Sequence, residues 1–120
     1  ADDRAQVIIV GREAVRFAAQ AHDSATWASA AQRLGLAHWS LSHYDSALTH
    51  LRVTHEIRRQ LRDTVGIGSV LNSIGATHYQ WGNYEPALEA FVQALAVRRE
   101  TGDERGVAIT LANIGKTYQD

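Results

Sequence analysis

Leu71 to Phe91 reads LNSIGATHYQWGNYEPALEAF, and this stretch decides the fold. Leu71, Ile74, Gly75 and His78 form the pattern L-x-x-I-G-x-x-H, and Ala87 and Phe91 follow as A-x-x-x-F, beginning twelve residues after Gly75. Between them, Gly82 and Asn83 tolerate the left-handed backbone of a tight reversal. Pro86 suits the first turn of a new helix, where its missing amide does no harm. The stretch therefore predicts helix, turn, helix. The chain then repeats it. Gly35, Gly75 and Gly115 lie 40 residues apart, as do Asp23, Asp63 and Asp103. Leu34, Ile74 and Ile114 keep the same interval, and so do the pairs Tyr44 and Tyr84, Ala47 and Ala87.

Working outward, each aspartate precedes an amphipathic stripe. Ile67, Leu71, Ile74 and His78 recur at three- and four-residue spacing, matched by Trp27, Ala31, Leu34 and His38 upstream and by Val107, Leu111, Ile114 and Tyr118 downstream. Asp23, Asp63 and Asp103 read as N-caps, accepting from first-turn amides and complementing the helix dipole. First helices are expected over 24–41, 64–81 and 104–118, and second helices over 45–61 and 85–101. The mid-helix glycines oppose helix propensity, and close helix crossing is the compensating reason, with Ala47 and Ala87 as small partners. Slid forward by 40, Val7 falls on Ala47 and Phe17 on Ile57, so residues 1–22 read as the second helix of a preceding repeat. The organisation expected is one domain over 1–120: that helix, repeats over 23–62 and 63–102, and the first helix of a third repeat over 103–120.

Composition sets the outer bounds. Apolar residues make up 45% and charged residues 21% of the chain, ordinary for a globular protein. A net charge of −1 gives no broad footprint for nucleic acid or an anionic membrane. The longest aliphatic run is Val7 to Val10, far short of a membrane span. With no cysteine, disulfides and thiolate metal sites are excluded, which is compatible with a reducing, cytoplasmic setting. There is no methionine, and the chain stops within a third copy of its motif, so a piece of a larger protein is expected. Eleven arginines stand against one lysine, a bias common in GC-rich bacterial genomes.

These motifs resemble the tetratricopeptide repeat family, whose signature is W-x-x-L-G-x-x-Y followed by A-x-x-x-F. Leu71 and His78 soften two aromatic positions, and His38 again replaces the usual tyrosine. The usual period is about 34 residues; the longer one here is similar to kinesin light chains, to spindle-orientation adaptors and to repeat arrays of bacterial regulators. The resemblance implies an all-α fold: a right-handed α-solenoid of antiparallel helix pairs with about six helices. It also implies a non-enzymatic module that holds a protein or peptide segment in a concave groove lined by the first helices.

Carried over position by position, the resemblance places Ser29, Gln32, Arg33, Leu36 and Trp39 on that groove. Ser69, Asn72, Ser73, Ala76 and Tyr79 follow from the second repeat, and Ile109, Ala112, Asn113 and Lys116 from the third. Asn72 and Asn113 are the most informative, because an amide can both donate to and accept from a peptide backbone. Trp39 and Tyr79 would supply apolar anchors. The clamp that some family members use for a terminal carboxylate needs cationic and amide side chains where Gln32, Leu36, Ser73, Ile109 and Asn113 stand here. One partial match in five is not a clamp.

Catalytic and metal chemistry find little support. Six histidines include no His-x-x-x-His pair, and His50 and His55 fall on different helix faces. There is no G-x-S-x-G elbow, and Gly66-Ile67-Gly68 is too little for a phosphate loop. No cofactor is expected. Arg58–Arg59 and Arg98–Arg99 read as solvated helix ends suited to the dipole. Two rivals to peptide binding stay open. One is self-assembly into a homo-oligomer through the end helices, where Gly11 would suit close approach of another chain. The other is a small-ligand sensor beside Trp39 and Tyr79.

Overall fold

A computed structural model describes residues 3–119. Six helices follow in order: α1 (Asp3–Gln20), α2 (Ser24–Ser40), α3 (Tyr44–Gln60), α4 (Thr64–Gln80), α5 (Tyr84–Glu100) and α6 (Glu104–Gln119). Every regular element among the described residues is helical, as the stripes require. Two compact units divide after Leu61. The first holds α1 to α3 and the second α4 to α6.

A left-handed residue recurs every twenty positions and ends each of α1 to α5. His22, Ser42 and Arg62 have φ of 56°, 62° and 56°, and Gly82 and Gly102 have φ of 85° and 71°. Asn83, expected to share the left-handed bend, instead has φ of −91° and caps α5 without a side-chain bond. The amide of the following residue then reaches back over the last turn: His43 to the His38 carbonyl and Asn83 to that of His78, both at 2.8 Å. The three aspartates cap as expected. Asp23 accepts from the Thr26 amide at 3.2 Å, Asp63 from Gly66 at 3.0 Å and Asp103 from Gly106 at 2.9 Å.

In the first unit α2 packs on both α1 and α3. Its centre is Leu34, Ala31, Ala47 and Leu51, with Ile8 and Ala18 buried from α1. Thr54 is fully buried and its hydroxyl donates toward the carbonyls of Ala28 at 3.2 Å and His50 at 3.0 Å. In the second unit α5 lies between α4 and α6, with Phe91, Ala87, Ala90, Ala94 and Leu71 buried.

The mid-helix glycines behave differently from one another. A Cβ at Gly75 would stand 2.6 Å from two ring carbons of Phe91, and one at Gly35 would stand 3.0 Å from Leu51 Cγ. Close crossing therefore explains both, although the opposing side chains are Leu51 and Phe91; Ala47 contributes only its carbonyl oxygen and Ala87 is not among the nearest atoms. At Gly115 nothing lies within 4 Å, so among the described residues no crossing accounts for it.

The paired arginines also divide. Arg59 and Arg99 are exposed, but Arg58 is buried. Arg98 turns inward and donates to the Gly106 carbonyl at 3.2 Å and to Thr110 Oγ1 at 2.9 Å, with Asp103 at 4.0 Å. This ties the end of α5 to the start of α6. Arg98 is a structural residue, not a solvated helix end.

Candidate functional site

The expected groove positions fall on both units. Asn72, Ser73 and Tyr79 lie on α4, and Asn113 and Lys116 on α6, all in the second unit. The register of these two helices on α5 brings four of the five together as two pairs. Asn113 donates its side-chain amide to Asn72 Oδ1 at 3.0 Å, across 41 residues of chain. One turn on, the Lys116 ammonium stands 5.1 Å from the centre of the Tyr79 ring, within cation–π range. Tyr79 is half-buried and also leans on Tyr84, with ring centres 5.6 Å apart.

Tyr79, Asn113 and Lys116 line a recess of about 100 Å³ with Ala76, Gln80, Phe91 and Thr117. Ala76 and Phe91 give the recess its apolar lining. Ser73 does not join them, because its hydroxyl turns back to the Ser69 carbonyl at 3.3 Å. In their mutual bond the asparagines use one donor and one acceptor. The Asn72 amino group and the Asn113 carbonyl take no part in that bond.

Gln32, Arg33, Leu36 and Trp39 belong to α2 in the first unit. Leu36 and Arg33 are exposed, whereas Gln32 and Trp39 are half-buried. The indole nitrogen of Trp39 is buried without a hydrogen-bond partner. Arg33 alone of the four lines the larger concavity of this unit, an open groove of about 790 Å³ between α1 and α2. Its walls include Val7, Val10, Gly11 and Ala14 from α1, and Ser29 and Ala30 from α2. Two periods on, Val7, Val10 and Ala14 become Ala87, Ala90 and Ala94, the buried face of α5. Val10 is 55% exposed and Ala90 only 6%.

One constellation escaped the sequence reading. His38, His43 and His50 meet at the α2–α3 hairpin. The Nδ1 atoms of His38 and His43 are 3.3 Å apart, and the His38 and His50 rings stack with centres 5.4 Å apart and planes at 8°. Burial first, then the neighbouring rings and Arg12, hold His38 below the usual histidine range. Burial and Arg12 do the same to His50. The sequence carried a signal: His43 and His50 are seven apart, two turns along one face, and His38 sits one turn before the reversal.

No group of three His, Cys, Asp or Glu side chains among the described residues is disposed to hold a metal ion. No helix among them is long and apolar enough to cross a membrane. Among curated proteins none matches this chain. The family model for the tetratricopeptide repeat matches residues 23–100, well over half of the chain, and covers α2 to α5. With its antiparallel pairs, aspartate caps and glycine crossings, the chain belongs to the tetratricopeptide repeat family.

Proposed function

We propose that the α4–α6 face of the second unit binds an extended peptide segment of a partner protein. Tetratricopeptide repeats generally mediate protein–protein interactions, and the finer reading rests on one observation, the Asn72–Asn113 amide pair. Two amides fixed edge to edge present a donor and an acceptor, the complement of a peptide unit. Such contacts read backbone, not sequence. Selectivity comes from beside them: the small recess takes an apolar side chain over Phe91, and Lys116 favours an acidic residue nearby. The role suits a non-enzymatic adaptor segment of a larger bacterial regulatory protein, in keeping with the arginine-rich composition.

The test is selection from a phage-displayed library of random peptides about twelve residues long, a length that spans several sites of an extended ligand. The chain with Asn72→Ala and Asn113→Ala serves as the competitor. Peptides that bind the parent and lose binding to the double variant support the reading. Peptides held equally by both overturn it.

A second reading, self-association, is favoured by the exposure of Val7 and Val10 on α1 and of Leu111 and Tyr118 on α6. Their period-mates Ala87, Ala90 and Leu71 are buried where α4 meets α5. In this reading α6 of one copy covers α1 of another, and mass measured by light scattering rises with concentration. Val10→Glu and Leu111→Glu would each return it to monomer.

A further inference from the structure

We propose that His38, His43 and His50 form a proton-operated latch that releases α1 from the α2–α3 hairpin when the solution is acidified. The latch lies in the first unit and does not depend on peptide binding by the second.

The argument starts from hydrogen-bond capacity. Neutral imidazole has one donor and one acceptor nitrogen. The 3.3 Å approach of His38 Nδ1 to His43 Nδ1 therefore works when one nitrogen carries a proton and the other does not. One added proton still leaves one nitrogen to donate and the other to accept, so the contact survives. With both rings cationic, two N–H groups face each other and the bond is lost. His38 is only 4% exposed, and its other face is covered by His50, so the second charge is buried between rings.

The charged and titratable groups around the cluster leave that charge uncompensated. From α2 comes His38; from the cap and body of α3 come His43 and His50; from α1 comes Arg12, whose positive charge acts on both His38 and His50. Among the described residues no carboxylate acts on either ring. The added charge therefore meets cations on both sides. It must be relieved by moving the element that can leave most readily.

That element is α1. Among the described residues it packs on α2 alone and buries just two apolar side chains, Ile8 and Ala18. Its Arg4 also donates to the Ser40 carbonyl at 3.3 Å, at the same end of α2 as His38. By contrast α3 is anchored through Leu48, Leu51, Thr54 and Ile57. Departure of α1 carries Arg12 away and opens the rings to water. It would also uncover the side of Leu34 that now lies against Gly11.

Hydrogen exchange read by mass spectrometry on the full chain, at pH 7.5 and about pH 5 and corrected for intrinsic rates, tests this. Expected is a loss of protection in α1 on the order of tenfold for each pH unit by which proton uptake is resisted, well beyond any loss in α3. Arg12→Gln, at an exposed position, should shrink the loss, and so should His50→Gln. Equal loss of protection in α1 and α3 would overturn the proposal, because that is general acid unfolding. So would an α1 response unchanged in both variants.

Discussion

Asn113 and Asn72 are bonded side chain to side chain at 3.0 Å, joining two helices that make few other direct contacts. Both α4 and α6 are held chiefly through α5. The amide pair is thus positioned by a shared neighbour instead of holding the helices itself. Replacing both asparagines with alanine should accordingly cost little stability, about 1 kcal/mol or less, since each residue is only half-buried and water can replace the lost bond. Urea unfolding of the double variant checks this. A loss of several kcal/mol would make the pair a structural element and weaken its assignment to ligand binding.

Two glycines at the same motif position should respond with opposite signs. Gly75→Ala pushes a methyl to 2.6 Å from the Phe91 ring and should destabilise by about 1–3 kcal/mol. Gly115→Ala meets nothing within 4 Å and should stabilise by up to about 1 kcal/mol through helix propensity. Denaturant midpoints of the two variants decide it.

Adjacent arginines should differ as well. Arg98→Ala removes the bonds to Gly106 and Thr110 and should cost on the order of 2 kcal/mol. Arg99→Ala, at an exposed position, should stay within about 0.5 kcal/mol. Thr110 keeps its own bond to the Gly106 carbonyl at 2.8 Å, which bounds the damage in the first case.

Acid should weaken the fold before the carboxylates titrate. His38, His50 and His55 are all held below the ordinary value of 6.5, chiefly by burial. Between that value and their folded-state values the unfolded chain binds more protons. Stability is therefore complete above pH 6.5 and falls as the pH drops through that window. Thermal melts followed by circular dichroism should show a lower Tm at about pH 5 than at pH 7.5, with a smaller difference in His50→Gln.

Much of the architecture was legible because it depends on local chemistry repeated at a fixed interval. Asp23, Asp63 and Asp103 announced their helices, since capping needs only the following turn. The helix ends fell within two residues of expectation for the same reason. Contacts across helices were harder. Gly75 is legible as a crossing point, but its partner is Phe91, because which side chain fills a crossing depends on rotation about the helix axis. In the sequence Asn72 and Asn113 each read as an amide facing a ligand; that they face each other follows only from how α4 and α6 sit on α5. The histidine cluster was missed because His38 and His50 lie on two helices, and no spacing within a single helix links them. The inward turn of Arg98 is masked by its exposed neighbour.

The central claim concerns the α4–α6 face, and its most direct measurement is a ¹⁵N-resolved NMR titration of the full chain with a library-selected peptide. The account predicts that the side-chain amide signals of Asn72 and Asn113 shift first and furthest, with backbone signals of Ala76, Tyr79 and Lys116 following. Saturable binding that leaves both asparagine side chains unmoved, and shifts residues elsewhere, would contradict it.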